Sequence, residues 1–267
     1  MEPTQLYQDN VCGTKDGPVQ GIGLEVQLHQ WSLTQQNLIT VSAGAGAIEI
    51  PVGGIAIGYA LVTETPEAAT AWPLPTGLGG VSLRITDAVG VERLAPLLYA
   101  GVGSINFLVD AHTAPGLART KLLRHGSMGA EPEGSIIVSL VAPGFFSATM
   151  NARGPAVGVA VQRDGAAHSL FERDDVATCR TIAAKVAADG STLLQIYGTG
   201  FRNSNDVLRA TIGGHHVHIV EAGPQPDVAY NDRLVLRVGS ELAGLGEEDL
   251  VFWAGPRVSN VVRVRLQ

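Results

Sequence analysis

The chain contains one order of strands and turns twice. The first copy reads "GGIAIGYAL", "LGGVSLRITD", "APLLYAG", "SINFLVD" and "GSIIVSLVAPG"; the second reads "STLLQIYGTGF", "IGGHHVHIVEAG", "DRLVLRV" and "SNVVRVRL". Each copy has an apolar strand holding a tyrosine (Tyr59, Tyr197), then a Gly-Gly pair (Gly79-Gly80, Gly213-Gly214). A strand ending in Ala-Gly follows (Ala100-Gly101, Ala222-Gly223), then two more apolar runs. Repetition of this kind constrains architecture strongly and chemistry weakly. It predicts two superposable all-β sandwiches, with Gly80 and Gly214 in equivalent turns.

The punctuation places the boundaries. Residues 1–40 are polar and turn-rich, then alternate through Leu24, Val26 and Leu28 against Glu25, Gln27 and His29, the period of a half-buried strand. They are read as an N-terminal extension with an edge strand. Residues 41–142 form the first sandwich, 143–190 a connecting segment with a hairpin at Asp164-Gly165, and 191–267 the second sandwich. The stretch "TETPEAATAWPLPTGLGG" carries Pro66, Pro73 and Pro75; proline cannot donate to a ladder, so this is loop or edge. Val81, Leu83 and Ile85 alternate inward, "DAVG" turns, and Leu94 to Tyr99 returns. Only residues 178–190 and 240–249 have any helical character, two turns and one turn respectively. The fold class is all-β, two tandem immunoglobulin-like β-sandwich domains.

An apolar fraction of 45% over 267 residues is enough for two real cores. Eighteen Lys and Arg against 25 Asp and Glu give a net charge of −7. A phosphate backbone is held by clustered basic charge, so no nucleic-acid partner is expected. No apolar run reaches the ~20 residues of a membrane-spanning helix, so no membrane insertion is expected. The chain opens Met-Glu-Pro-Thr-Gln, which is not a signal peptide. It is either cytosolic or starts where a leader has been removed. The second is preferred, because lysine is scarce (Lys15, Lys121, Lys185) and uncharged polar residues fill the surface. Cys12 and Cys179 are the two cysteines. An even count in a β-rich exported chain points to one disulfide, against two buried free thiols.

At "LQIYGTGFRN" and "PLPTGLGGVSLRITD…APLLYAGVGSINFLV…TAPGLARTKLL…VAPGFFS" the chain resembles the Solibacter-type C-terminal domain family, found at the ends of large exported acidobacterial proteins. Its halves are similar to immunoglobulin-like, plexin- and transcription-factor-type (IPT/TIG) sandwiches. The resemblance covers about 45–267 and implies an exported, accessory or surface role, with no catalytic residues to carry over. Val102, Ser104 and Asp110 depart from the family pattern, as does "YNDRLVLRV".

Several constellations are candidate sites. In "GGHHVHIVEAG", read as one strand, His216 and His218 share a face while His215, Val217 and Ile219 share the other. Two such histidines start a metal site, but zinc needs a third or fourth ligand. Asp206, Glu221 and Asp227 are near only in sequence. A solvated polar face over a Val/Ile core is the plainer reading. Ser127 beside His125 lacks the context of a nucleophile elbow and reads as a turn. Glu172, Asp174, Asp175 and Asp164 could offer oxygen to calcium, as could Glu247, Glu248 and Asp249, yet neither has the spacing of a calcium loop. Of Trp31, Trp72 and Trp253, Trp72 is the candidate for carbohydrate contact, and Trp253 is placed toward the core by its alternation with Val251.

The reading is a non-catalytic exported or cell-surface module for adhesion, assembly or carbohydrate contact, with a protein or glycan partner and no cofactor. The alternative is a metal-dependent hydrolase with zinc at His216 and His218; calcium is the other ion considered.

Overall fold

The computed structural model describes residues 37–60, 62–63, 66–126, 131–149, 152–174, 178–226 and 228–267. The strand expected near residues 24–33 lies outside them. The described residues fall into two compact units, 37–140 and 141–267. Both are all-β, and the one helical turn among the described residues is the 3-10 turn Ser240–Leu242.

The first unit contains β1 (Ile39–Ser42), β2 (Glu49–Pro51), β3 (Ile55–Tyr59), β4 (Glu67–Ala68), β5 (Val81–Thr86), β6 (Glu92–Leu94), β7 (Leu97–Ala100), β8 (Ser104–Leu108), β9 (Gly116–Arg124) and β10 (Glu133–Ser139). They make two sheets, ordered β1-β3-β8-β7-β4 and β2-β10-β9-β5-β6. One buried cluster draws on both sheets, including Ala56, Ile105 and Phe107 from the first and Leu83, Leu122 and Val138 from the second. That is the packing of a β-sandwich. The alternation of Val81, Leu83 and Ile85 delivers all three to this core. The return strand then splits: β6 stays beside β5, and β7 crosses to the opposite sheet after Ala95-Pro96.

The second unit contains β11 (Gly144–Phe145), β12 (Gly158–Val161), β13 (Ala167–Ser169), β14 (Phe171–Arg173), β15 (Cys179–Thr181), β16 (Ala183–Ala184), β17 (Leu193–Thr199), β18 (Leu208–Ile212), β19 (His215–His216), β20 (His218–Gln225), β21 (Val228–Arg237), β22 (Gly246–Ala254), β23 (Arg257–Val258) and β24 (Val262–Leu266). Its main sheets run β13-β12-β17-β21-β20 and β16-β24-β22-β18-β19. Phe145, Phe201 and Phe252 meet at its centre with ring centroids 5.3 to 6.4 Å apart. Edge-to-face aromatic pairs add ~0.5–1.5 kcal/mol each beyond their buried area.

The strand plan is the same in both units. In chain order, β1, β2, β3, β5, β6, β7, β8, β9 and β10 correspond to β12, β16, β17, β18, β19, β20, β21, β22 and β24. The correspondence includes the one parallel pair within each set, β2 with β10 and β16 with β24. Register agrees as well. Gly58 opposes Ile105, which opposes Ala100; Ile196 opposes Leu234, which opposes Ala222. The tyrosines one residue on, Tyr59 and Tyr197, are therefore equivalent. Gly116 and Gly246 likewise start β9 and β22 opposite Val138 and Leu266.

The Gly-Gly pairs are not equivalent. Gly79-Gly80 precedes β5, where Leu78 and Val81 bond each other across the turn, whereas Gly213-Gly214 follows β18. All four glycines have positive φ, 57° to 80°, as a two-residue hairpin turn requires. The turn type repeats at opposite ends of the corresponding strand. The segment 143–190 also differs from a simple connection. It supplies six strands to the second unit, because Phe145, Ala156, Ala160, Leu170, Ala184 and Val186 belong to that core. The helical character expected at 178–190 gives way to β15 and β16, and at 240–249 it shrinks to the single 3-10 turn.

Candidate functional site

The histidine motif is not one strand. His216 ends β19 in one sheet and His218 begins β20 in the other, with the crossing at Val217. Val217 is buried as its alternation predicted, and His215, His216 and His218 are all exposed. His216 and His218 line a shallow cleft of about 440 Å3 with Asp189, Arg237 and Glu241. Among the described residues no three His, Cys, Asp or Glu side chains converge on a metal position. Glu221 pairs with Arg233 at 2.8 Å, and Asp227 lies outside the described residues.

The acidic candidates have basic partners or cap turns. Arg180 bridges Glu172 and Asp174 across the β14–β15 hairpin, its Nε 2.6 Å from Asp174. Asp164 accepts the Ala166 amide at 2.9 Å and closes the β12–β13 turn; Asp175 lies outside the described residues. Glu247 and Asp249 sit on β22, a strand rather than a loop, facing Arg263. Glu248, on the same strand, lies against the turn at Gly213. Ser127 is outside the described residues, and His125 contacts Ser82 Oγ at 3.0 Å.

Trp72 is 60% exposed on the loop between β4 and β5. Trp31 lies outside the described residues. Trp253 faces away from the core, since Leu250, Phe252 and Ala254 are the buried positions of β22. The alternation was right and its phase was reversed. Arg209 covers the Trp253 ring, 5.8 Å from the centroid. Cys179 begins β15, partly buried, with its sulfur 3.6 Å from the Ala148 carbonyl oxygen. Its expected partner Cys12 lies outside the described residues.

Two buried aspartates hold loops. Asp87 accepts the Val89, Val91 and Ala114 amides and the Arg93 guanidinium at 2.9 to 3.1 Å. Burial raises its carboxyl, but these donors outweigh burial and hold it below the ordinary range. Asp232 accepts the Phe201 amide at 2.7 Å, the Arg202 amide at 3.2 Å and the Arg202 Nε at 2.5 Å. It has no solvent exposure, and burial pushes its carboxyl up despite the opposing guanidinium. Both fix backbone and present no group to a ligand.

The second unit carries a lateral groove of about 820 Å3. Its floor includes Ala160, Ala183 and Ala184, and its rim carries Arg163, His168 and Lys185. β14 runs antiparallel to β15, with Phe171 opposite Thr181, and the Ile182 amide donates to the Leu170 carbonyl at 2.8 Å. The segments part where Ala183 and Ala184 enter the opposite sheet beside β24. The groove is that gap. No motif in the sequence marks it. Its one local signal is the small-residue run "AAKVAADG" following the Asp164-Gly165 hairpin.

Comparison with protein-family models and with curated proteins returned no match to this chain.

Proposed function

We propose that the chain is a non-catalytic, exported or cell-surface module that contacts a protein or glycan. The observation that supports this is where the two units differ. On a shared strand plan, the first unit inserts residues 60–80 between β3 and β5, which includes exposed Trp72. The second inserts residues 162–182 between β12 and β16, of which Gln162, Arg163, Asp164, His168, Ser169 and Ile182 line the groove. Accessible surface added to a constant sandwich is a common way to build binding sites, and function resides in such sites rather than in the fold. The sequence resemblance to the Solibacter-type family points to the same exported role.

The test is a binding panel of neutral and acidic polysaccharides and surface-protein extracts, run beside ester and peptide hydrolysis with and without a chelator. Saturable binding that Trp72→Ala or a groove substitution weakens supports the module. Chelator-sensitive turnover that disappears in the His216→Ala, His218→Ala double variant would replace it with the hydrolase.

A further inference from the structure

Six asparagines fall among the described residues, and the peptide that follows each decides whether it can react with its own side chain. That reaction needs a small following residue and a following amide nitrogen that no hydrogen bond holds. Five of the six lack one or both. Leu38, after Asn37, donates its amide to the Glu133 carbonyl at 2.8 Å. Phe107 and Asp232, after Asn106 and Asn231, lie in β8 and β21, which have a strand on each side. Asp206, after Asn205, has its amide 3.4 Å from Ser204 Oγ, and its carboxylate disfavours negative charge on the attacking nitrogen. Asn260 accepts the Phe145 amide at 2.7 Å, donates to the Phe145 and Ala152 carbonyls at 3.1 and 2.8 Å, and precedes β-branched Val261. The aspartates before Gly165 and Gly190 are held likewise, since those amides donate to the Gln162 and Ala187 carbonyls at 2.9 and 3.0 Å.

Asn203 is the exception. It is exposed in the loop between β17 and β18, at a turn, with a φ of 67°. Asparagine tolerates this left-handed conformation better than most residues with a Cβ. Its side chain and the Ser204 amide form no hydrogen bond among the described residues. The loop is anchored on both sides. Asp232 holds the Phe201 and Arg202 amides, and the Gly255 amide donates to the Val207 carbonyl at 3.1 Å. The Asn203–Ser204 peptide lies between these anchors.

We propose that Asn203 is a site of spontaneous deamidation. The Ser204 amide nitrogen attacks Asn203 Cγ, a bond forms between them, and the Cγ–Nδ2 bond breaks. The side-chain nitrogen leaves as ammonia, taking the proton that the Ser204 amide gives up. Water then opens the cyclic imide, its hydroxyl going to a carbonyl carbon and its proton to the ring nitrogen. Opening at Cγ gives aspartate, and opening at the backbone carbonyl gives isoaspartate. Either product adds one negative charge to the chain's −7.

The test is tryptic mapping of the full chain during incubation in mildly alkaline buffer below its melting temperature. Fragmentation of the peptide 203–209 separates Asn203 from Asn205. Asn203 is expected to convert first of the six, giving both aspartate and isoaspartate. Ser204→Val, whose β-branch obstructs the attack, should slow conversion about tenfold, and Ser204→Gly should speed it about tenfold. In urea the other amides are released, so the lead of Asn203 over Asn205 and Asn231 should shrink. Earlier conversion at any of the other five, the parent rate in both Ser204 variants, or an unchanged lead in urea would overturn the proposal.

Discussion

The two units share nine strands in the same order and register, and they solve the same packing problem with different material. The first fills its centre with aliphatic side chains around the single ring of Phe107. The second stacks Phe145, Phe201 and Phe252. Leu122 and Phe252 occupy equivalent positions, opposite Leu83 on β5 and Ala210 on β18. A larger side chain on one strand is matched by a smaller one opposite, the volume balance that tolerant cores keep. What is held constant is the alternation and the ladder. What varies is the filling and, above all, the insertions at 60–80 and 162–182. The scaffold is where the units agree, and the candidate binding surfaces are where they do not.

The largest test of that contrast is covalent. Residues 37–140 contain no cysteine, while Cys179 lies in the second unit's insertion. We expect Cys12 and Cys179 to be bonded in protein from an oxidising compartment. Closing a loop of ~165 residues would contribute up to ~4–5 kcal/mol in the chain-entropy model. Intact mass with and without reductant checks the bond, and reduction should lower the melting of the second unit alone. Two free thiols in freshly isolated protein would remove this asymmetry and weaken the exported reading.

Next in size is Asp232→Asn. Its single side-chain oxygen cannot accept from the Phe201 amide, the Arg202 amide and the Arg202 guanidinium together, and a buried donor left without an acceptor costs ~1–3 kcal/mol. NMR signals from each unit during a melt should show the second unfolding earlier while the first is unchanged.

The two aspartates should also answer acid in opposite senses. The folded value of Asp87 lies below the ordinary one, so its contribution is present above the ordinary carboxylate range and is lost as pH falls through the folded value. The folded value of Asp232 lies above the ordinary one, so its contribution is fully present below that range and is lost as pH rises through the folded value. Melts of Asp87→Asn and Asp232→Asn against the parent across mildly to strongly acidic pH should give differences that slope in opposite directions. Parallel slopes would show that the two sites do not differ in this way.

The smallest expected effect is at the histidines. His216→Ala with His218→Ala should change stability by less than ~0.5 kcal/mol, because both rings are exposed and Val217 makes the core contact. A chelator-sensitive melt in the parent, absent from the double variant, would establish a metal site.

Much of the fold could be read from the chain because strands are short and local. Tyr59 and Tyr197, Ala100 and Ala222, and the inward set Val81, Leu83 and Ile85 all follow from period-two patterning and its repetition. The misreadings share one cause: pattern does not carry position in space. A glycine pair states a turn type but not which end of a strand it closes, so Gly80 and Gly214 looked equivalent. Alternation continues unbroken when a chain passes from one sheet to the other, so the crossing at Val217 left no mark. Trp253 had the right period and the wrong phase for the same reason. Of the candidate site residues, exposed Trp72 was legible from its proline-rich setting. The groove was not, since it arises where Ala183 leaves the neighbourhood of β13 to pair with Arg265, over eighty residues away.

The shared ladder is tested most directly by residue-resolved amide hydrogen exchange. β3 and β17 are flanked on both sides, by β1 and β8 and by β12 and β21, so slow exchange is predicted at successive amides along both. Ala167 and Ser169, outward on β13, are predicted to exchange fast between slow neighbours at His168 and Leu170. Alternating protection along β3 or β17, or slow exchange at Ala167 and Ser169, would contradict the common plan and the open edge of β13.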